Sequence, residues 1–426
     1  MTCKETPKLL PLICFISYFP PSEEGLACYT KELVDAIRKD YAESFRLCII
    51  KQQEHEGTTV ESMNGVAVYP VWNMASYKSS IASIVLTLLL VRKIRPDIIH
   101  LQYGPSRKYG GTLGEPFLFL LLFVKLFSSS KVFLSIHSLL YQRSVEDKVA
   151  KIVRNSLAGK IYAFYYKILL KYFFWLPNKV LVVTNCEFFS LSNECCSFLS
   201  YLSSGKNGFV KVIPHGIFES KYPPLARCTT GSNAKKLLLM GHIRQGRYDS
   251  VLKALGSASE TLTGKLTVTV AGPLLFKQDE EYLTWLMQES KRLKIANFFE
   301  YNVKWLSDEE FANRLSVSDY TFVNFQEALK ASGILSWAIT LGVPAIVMMD
   351  ETQQSKLESA PFLIAKDEHS LARILVRIVS ETSLQGNLKA TMSRLKTQYS
   401  FGKIAAIHAN LYTEAIGPSE SRETDD

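Results

Sequence analysis

An alternation of short apolar runs with longer helical segments constrains the fold of this chain most, and it occurs twice along the sequence. In the first half, the runs that we predict to be strands are 12–16, 45–50, 67–70, 98–101, 132–136, 180–183 and 210–213. The segments of helical periodicity between them include 26–38, 81–94 and 148–175. Continuous apolar strands separated by helices are typical of a parallel sheet that is covered by helices on both faces.

A connector separates the two series. Residues 219–233 contain two prolines and a cluster of threonine, glycine and serine, which is typical of a loop between domains. Beyond it, strands are predicted at 236–240, 266–271, 298–301, 320–325 and 345–348, and helices at 249–255, 279–293, 308–317 and 332–341. The 426 residues therefore predict an α/β protein made of two doubly wound units.

The composition is that of a folded protein, with 47% hydrophobic and 21% charged residues, which excludes a disordered, collagen-like or coiled-coil chain. The longest uncharged apolar run, 79–91, is shorter than the about 20 residues that cross a bilayer. Four prolines in the first 21 residues argue against a signal peptide. The eight cysteines form no C-x-x-C pair, so we predict reduced thiols, a cytoplasmic location and no bound metal.

The net charge of +9 is concentrated in one segment. Residues 143–179 contain eight basic and two acidic residues, a net charge of +6, among many aromatic residues. Two interpretations stay open for 148–179: a peripheral contact with an anionic membrane on its cytoplasmic side, or a long helix with a buried aromatic face and solvated lysines. No recognisable nucleic-acid-binding module accompanies this charge, so no nucleic-acid partner is predicted.

Ligands of open parallel sheets bind beyond the carboxyl ends of the strands, so the loops after strands are the candidate sites. Gly25 follows the first strand at a helix entrance, where backbone N–H groups bind an anion or simply form a tight turn. His137 directly follows the strand 132–136 and is predicted to face the cleft, although a structural role stays open. His215 ends the last strand of the first half at the predicted hinge, as a ligand-binding residue or a turn residue.

The second half opens with a strand and a glycine loop of the form G-x-x-x-x-G, from Gly241 to Gly246. A nucleotide-binding P-loop requires Lys and then Ser or Thr after the last glycine, but Arg247 and Tyr248 occupy those places, which excludes magnesium coordination. What remains is a pair of guanidinium groups, Arg244 and Arg247, whose geometry suits diphosphate oxygens. The alternative is that both are solvated surface arginines.

Ser332 and Gly333 begin the predicted helix 332–341. Free N–H groups and the helix dipole favour a phosphate at such an N-terminus, although Ser332 alone would also serve as an N-cap. Other signatures do not occur: there is no Asp-x-Asp pair, no G-x-G-x-x-G after a strand and no G-x-S-x-G. No metal-bound nucleotide sugar, dinucleotide cofactor or hydrolase nucleophile is therefore predicted.

Together these residues resemble the retaining group 1 glycosyltransferases, which have the GT-B fold. The matching motifs, in family order over nearly the whole chain, are 16–29, 95–103, 135–137, 212–217, 240–247 and 331–344. The resemblance implies two Rossmann-like domains that face each other across a cleft. It places the acceptor domain at 1–218, joined by the last helix at 403–416, the donor domain at 219–402, and a disordered tail at 417–426.

The resemblance also implies an activity. Members of this family move a hexose-type sugar from a nucleotide-diphosphate sugar to a glycan or lipid-linked acceptor, with retention and without a metal or other cofactor. By this resemblance Arg244 and Arg247 stabilise the leaving diphosphate, and His137 lies near the transferred sugar and the acceptor. Gly25 matches one glycine of the family's first loop, and the motif around Gly241 binds the donor.

The sequence departs from the family at a pair of glutamates. Counting back from Gly342 places these two positions at Leu329 and Trp337, neither of which is acidic. Glu327, two residues from the first position, is the expected substitute near the transferred sugar. The alternative function is a non-catalytic GT-B scaffold or partner subunit that lacks the glutamate pair.

Overall fold

The computed structural model describes residues 10–22, 25–53, 60–73, 77–104, 115–139, 156–184, 193–203, 209–219, 234–325, 329–330, 332–349, 362–381 and 383–417. Within these ranges the strands are β1 Leu12–Ile16, β2 Arg46–Gln52, β3 Glu61–Met63, β4 Val66–Trp72, β5 Ile98–Tyr103, β6 Lys131–Ile136, β7 Ser138–Leu139, β8 Lys179–Thr184, β9 Val210–Pro214, β10 Lys235–Met240, β11 Leu266–Ala271, β12 Phe299–Asn302, β13 Tyr320–Asn324, β14 Leu329–Lys330, β15 Ala345–Met348 and β16 Phe362–Ala365.

The helices of the same ranges alternate with these strands. They are α1 Gly25–Tyr41, α2 Tyr77–Ile94, α3 Glu115–Phe127, α4 Ser156–Trp175, α5 Asn193–Ser203, α6 Asp249–Leu262, α7 Lys277–Arg292, α8 Asp308–Ser316, α9 Gly333–Leu341, α10 Glu368–Ser380, α11 Leu384–Gln398 and α12 Phe401–Ile416. One 3-10 helix, Ala296–Phe298, precedes β12.

Two sheets carry the fold. The first has the strand order β3-β4-β2-β1-β5-β6-β8-β9, and only its edge pair β3–β4 is antiparallel. The second has the order β12-β11-β10-β13-β15-β16 and is parallel throughout. This arrangement confirms the predicted α/β class with two doubly wound sheets.

Burial on both faces explains the unbroken apolar runs of the central strands. Four consecutive residues of β1, from Ile13 to Ile16, are fully buried. Alternate members of this run belong to two different hydrophobic clusters, one on each face of the sheet. Helices α2, α3 and α4 cover one face and helices α1 and α12 cover the other. A sheet with one solvated face would place polar residues at every second position, and β1 has none because both of its faces are covered.

Several elements were not predicted. They are the helices α3, α5, α10 and α11 and the strands β3, β7, β14 and β16. Helix α3 has apolar side chains on every side, and such a segment has no amphipathic period to detect. Of the predicted helix 148–175, residues 148–155 lie outside the described residues, and so does most of the predicted disordered tail, 418–426.

The last helix returns to the first sheet. Phe401, Ile404 and Tyr412 of α12 are buried in the same hydrophobic cluster as Leu33 of α1. At Gly216, where φ is +87°, an added Cβ would lie 3.0 Å from Ile404 Cγ1, so the chain after β9 passes close to α12. The domain boundaries at residues 218 and 402 stay predictions. None of the described helices combines the length and apolarity needed to cross a membrane.

Helix α9 of the second half holds the segment that follows β9. The Ser336 hydroxyl accepts a hydrogen bond from Phe218 N at 2.9 Å and donates one to Gly216 O at 3.0 Å. Thr340 Oγ1 donates to Phe218 O at 2.6 Å. Both hydroxyls are buried, so they replace the water that would otherwise bind these backbone groups.

We therefore expect Ser336→Ala to lower the free energy of unfolding by about 1–3 kcal/mol, because it leaves the buried Phe218 N–H without this acceptor and removes one of two hydrogen bonds to Gly216 O. Urea unfolding measures this change. Ser257→Ala is the matched control, since that hydroxyl only donates within its own helix, to Ala254 O. Equal losses in the two variants would contradict the role assigned to Ser336.

Candidate functional site

His137 lies at the carboxyl edge of the first sheet, as predicted from its place after a strand. Its backbone N–H donates to Tyr103 O at 2.9 Å, which extends the pairing of β5 and β6 by one residue. Its Nε2 is 2.6 Å from Gln102 Oε1. An amide oxygen only accepts, so Nε2 carries the proton and Nδ1 of the neutral ring is an acceptor. Gln102 thus selects the tautomer of His137.

The environment keeps His137 uncharged. Burial, and to a smaller extent the nearby His215 and His408, hold its pKa well below the usual value for histidine. Burial also lowers the pKa of His215 to about 4, against a weaker opposing effect of its bond to Gly216 O. Both imidazoles are therefore neutral near pH 7, and they act there as hydrogen-bonding groups and not as cations.

Tyr29 of α1 brings the two histidines into one group. Its ring centroid is 4.4 Å from that of His137 and 5.1 Å from that of His215. His215 Nδ1 donates to Gly216 O at 3.0 Å, so its Nε2 is the acceptor. Gly25 begins α1 one turn before Tyr29 and therefore lies at the same edge of the sheet.

The structure gives no backbone reason for glycine at position 25. A Cβ added there would have no atom within 4 Å. The two preceding residues, 23–24, lie outside the described residues. Binding of an anion by the N–H groups near Gly25 stays a prediction.

The loop after β10 is held by Arg247. The guanidinium donates from Nη2 to Met240 O at 3.0 Å and from Nη1 to His242 O at 3.3 Å. A Cβ added to Gly241, where φ is +104°, would lie 2.9 Å from Arg247 Nη2 and 3.1 Å from Ile334 Cδ1. Only glycine lets the backbone approach the guanidinium so closely. The guanidinium and the Ile334 side chain, from the first turn of α9, therefore both lie close to Gly241.

Arg244 and Arg247 place positive charge around His242 of the same loop. His242 Nε2 is 2.6 Å from Asp279 Oδ2. Burial is the largest cause that lowers the pKa of His242, its bond to Asp279 opposes this, and both arginines lower it further. Asp279 also accepts from the backbone N–H groups of Leu275 and Phe276, which anchors the start of α7. The loop is therefore cationic and braced by a buried carboxylate.

Helix α9 begins next to this loop. The Ser332 hydroxyl accepts from Leu335 N at 3.3 Å, so Ser332 is the N-cap of the helix. The first N–H groups of any helix have no acceptor within the helix, and they carry its positive dipole end. The Ile334 side chain and the Arg247 guanidinium lie 3.1 and 2.9 Å from the Cβ position of Gly241, so this dipole end and the guanidinium are close to each other.

Two contacts join the two edges. Strand β7, directly after His137, pairs antiparallel with β14, with Leu139 opposite Leu329 and Ser138 opposite Lys330. In addition, the Phe218 ring lies 5.7 Å from that of His215, and its Cε2 is 3.8 Å from the Cβ position of Gly333. The candidate site therefore lies where these contacts hold the histidine edge next to the arginine loop.

The structure thus assembles most of the predicted site residues in two groups. His137 and His215 lie on one side, with Gly25 near them, and Gly241, Arg244, Arg247, Ser332 and Gly333 lie on the other. Glu327 lies outside the described residues. At the second glutamate position of the resemblance, the Trp337 ring packs against Phe218 and Phe311, with centroids 5.5 and 5.8 Å away.

Three residues that shape the site were not predicted from the sequence. Gln102 sets the His137 tautomer, Asp279 braces the cationic loop, and Gly272 lies against the backbone of Gly241. Gly272 directly follows β11, so its position after a strand was a detectable signal. Nothing local marks Gln102 or Asp279, since their partners are 35 and 37 residues away. Among the described residues, no group of three or more His, Cys, Asp or Glu is arranged to hold a metal ion.

Comparison with protein-family models and with curated protein sequences gave no match. Solved structures do resemble the chain. Sucrose-phosphate synthase from Thermosynechococcus elongatus matches with a TM-score of 0.66 at 13% identity, covering 94% of this chain and 98% of the other. The Anabaena protein HepE in complex with UDP-glucose matches with a TM-score of 0.62 at 12% identity, covering 94% and 98%.

A third similar structure is an alpha,alpha-trehalose-phosphate synthase (UDP-forming) from Burkholderia xenovorans, in complex with glucose-6-phosphate. It matches with a TM-score of 0.65 at 11% identity, covering 95% of this chain and all of the other. All three are GT-B proteins of two domains. The chain therefore has the GT-B fold, as the sequence motifs predicted.

Proposed function

We propose that this chain is a glycosyltransferase. It takes a hexose-type sugar from a nucleotide-diphosphate sugar bound by the second half and transfers it, with retention and without a bound metal or other cofactor, to a glycan or lipid-linked acceptor at the first half. One observation carries the proposal: the Arg247 guanidinium and the first turn of α9 meet at Gly241, and the pairing of β7 with β14 joins this half to the edge that holds His137.

The donor side suits a leaving diphosphate. Negative charge grows on the diphosphate as the bond to the sugar breaks, and preorganised cations and helix dipoles stabilise this charge in the transition state. Arg247 is preorganised because two carbonyls of its own loop hold its guanidinium. In the proposal Arg244 adds a second cation, and the N–H groups of Gly333 and Ile334 bind phosphate oxygens.

The acceptor side suits neutral sugar hydroxyls. In the proposal His137 accepts a hydrogen bond from a substrate hydroxyl at Nδ1, which its bond to Gln102 leaves unprotonated. The leaving phosphate takes the proton of the attacking acceptor hydroxyl, so no catalytic carboxylate is required for this transfer. Glu327 stays a proposed contact near the transferred sugar.

The similar structures support the substrate class. HepE is in complex with UDP-glucose, and the Burkholderia xenovorans protein is in complex with glucose-6-phosphate. A nucleotide-activated sugar and a sugar acceptor are therefore the first ligands to try with this chain. A thermal-shift screen of nucleotide-diphosphate sugars tests the donor, because a ligand that binds only the folded state raises the melting temperature.

With the donor found by this screen, we expect Arg247→Ala to reduce kcat/KM by about 10- to 150-fold, which corresponds to the loss of about 1.5–3 kcal/mol for a charged hydrogen bond. The loss should be mainly in kcat, since the charge on the diphosphate develops in the transition state. Arg292→Ala is the control, because that arginine forms an exposed ion pair with Glu289. Unchanged kinetics of Arg247→Ala would remove the assigned role.

The second candidate function is a non-catalytic GT-B scaffold or partner subunit. The packing of Trp337, in the place of the second glutamate of the resemblance, is the observation that favours it. Calorimetry with a panel of nucleotide-sugars separates the two functions. Specific binding followed by sugar release supports the transferase, and the absence of any binding across the panel supports the scaffold.

We place the protein in the cytoplasm. The described cysteines Cys14, Cys28, Cys48 and Cys196 are free thiols, which supports a reducing compartment. Labelling of thiols in the native and the unfolded protein tests this placement, since all eight cysteines should react after unfolding without reductant.

A further inference from the structure

Apolar side chains are concentrated on the outer surface of three neighbouring helices of the first half. Of the 22 large apolar residues that are exposed in the described ranges, 14 lie on α2, α3 and α4. We call them the three-helix surface: Ile81, Val85, Leu86, Leu89, Phe119, Leu126, Phe127, Leu157, Ile161, Phe164, Tyr165, Ile168, Tyr172 and Trp175. All three helices cover the same face of the first sheet, so their outer sides form one continuous region.

These residues are additional to the side chains that hold the helices on the sheet. In α4, Tyr166, Leu170 and Phe174 face the core and are buried, whereas Phe164 and Tyr172 are 65% and 71% exposed. The outward residues of α4 recur every three or four positions, which is the spacing of a second helical face. The interpretation of 148–179 as a helix with one buried aromatic face is therefore incomplete, because aromatic residues occupy both faces.

Other surface helices of the same half lack this feature. Helices α1 and α12, which cover the opposite face of the sheet, carry no large exposed apolar side chain. Exposed apolar patches that are contiguous and larger than a few hundred Å² mark sites of protein or membrane contact. The exposed apolar residues of the first half are therefore concentrated on the face of the sheet that α2, α3 and α4 cover.

Its charge identifies the kind of partner. The helices α2, α3 and α4 contain seven basic residues and one acidic residue, Glu115. Lys78 precedes the apolar stripe of α2, and Arg92 and Lys93 follow it. On α4, Lys160 is exposed beside the stripe, and Lys167 and Lys171 lie over the Tyr201 ring at 4.6 and 4.4 Å. Apolar faces bordered by lysine and arginine, with almost no acid, are complementary to an anionic lipid surface.

We propose that the three-helix surface docks into the interface of an anionic bilayer, with its apolar side chains among the acyl chains and its basic side chains at the headgroups. Crossover helices run antiparallel to the parallel strands that they connect. The N-terminal ends of α2, α3 and α4 therefore lie at the carboxyl edge of the sheet, where His137 is found. Docking brings that edge to the membrane, where a lipid-linked acceptor is located.

The proposal goes beyond the proposed function and stands even if the chain transfers no sugar. Flotation of the full chain with vesicles tests it, using phosphatidylcholine alone and phosphatidylcholine with phosphatidylglycerol. We expect binding to the anionic vesicles at low salt and weaker binding at high salt, because salt screens the headgroup attraction. Failure of the wild-type chain to float with anionic vesicles at low salt would overturn the proposal.

Variants separate the apolar and the charged contributions. The triple variant Ile161→Gln, Phe164→Ser, Tyr172→Ser should lower vesicle partitioning by at least about tenfold, because three large apolar side chains no longer insert. The matched control is Trp285→Ser with Met287→Gln, which removes two exposed apolar side chains of the second half. Lys160→Glu should also weaken binding, whereas Lys265→Glu, an exposed lysine of the second half, should not.

A second measurement addresses the other possible occupant. Sedimentation velocity reports the oligomeric state of the wild-type chain and of the triple variant without vesicles. A wild-type monomer is the expected result. A wild-type dimer that the triple variant dissociates would show that two copies cover this surface, and the membrane proposal would be wrong.

Discussion

Replacing Gly272 by alanine is expected to lower the free energy of unfolding by about 3–5 kcal/mol, the largest effect of any single substitution that we predict. Two causes add. At Gly272 φ is +146°, a backbone conformation that residues with a Cβ rarely adopt. A Cβ there would also lie 2.2 Å from Gly241 O, and this neighbour is backbone, which cannot rotate away. To accommodate the alanine, either the end of β11 or the loop that carries Arg247 must shift.

A second glycine isolates the steric part of this effect. Gly264 also has a positive φ, +73°, but an added Cβ would have no atom within 4 Å. Gly264→Ala should therefore cost only about 1–2 kcal/mol, the price of the left-handed conformation. Urea unfolding of both variants measures the difference. Similar losses in the two variants would mean that Gly272 and Gly241 are not in contact.

The second large effect is a loss of stability in acid, and it comes from four buried histidines that pack around the first sheet, three from the first half and one from the last helix. His100 stacks on His408 of the last helix at 5.6 Å, and Tyr29 lies between His137 and His215. Burial is the main cause that lowers the pKa of all four, to about 4 for His215 and for His408. Each imidazole is therefore kept neutral inside the fold.

The sign follows from proton linkage. The unfolded chain has histidine pKa values near 6.5, so between pH 6.5 and 4 it binds protons that the folded chain does not. Stability is therefore present in full above about pH 6.5 and falls as the pH is lowered. His215 and His408 should each account for a loss of about 3 kcal/mol by pH 4, and His100 and His137 add to it.

Unfolding in urea at several pH values from 7.5 to about 5 tests this expectation. His408→Leu removes one of the four groups and should reduce the pH dependence by about 1.4 kcal/mol per pH unit below pH 6.5. His408 suits this test because its Nδ1 bonds only to Ile404 O of its own helix. The control His369→Gln changes an exposed histidine and should leave the pH dependence as it is in the wild type. An unchanged profile in His408→Leu would contradict the linkage.

Site residues could be predicted from the sequence where they lie next to the end of a strand or the start of a helix. His137 directly follows a strand, Arg247 lies in the loop between a strand and a helix, and Ser332 caps a helix, and parallel sheets bring such positions to one edge. The order of the strands was not predictable, because it depends on pairings between residues far apart in the sequence. The sheet order places β1 between β2 and β5, with Ile13 opposite both Leu47 and Ile98. The position of Tyr29 between two histidines follows from that order.

The basic aromatic segment shows the same division. Its charge and its aromatic content are sequence facts, and both indicated a membrane or a buried helix without deciding between them. Only the packing of α4 against the sheet separates buried Tyr166 and Phe173 from exposed Phe164 and Tyr172. A residue is buried when another element covers it, and which element does so is not a property of the local sequence.

The sequence by itself determined the class of fold, two parallel α/β units, because the apolar period of each segment states how many of its faces must be buried. It also determined which side chains follow the ends of the strands, such as His137 after β6 and the glycine loop after β10. The tertiary structure alone decided that Gln102 Oε1 accepts from His137 Nε2–H and so selects its tautomer, that Gly272 leaves no room beside Gly241, and that one side of the first half stays apolar. Each of these depends on distances between atoms that the chain brings together only when both sheets have formed.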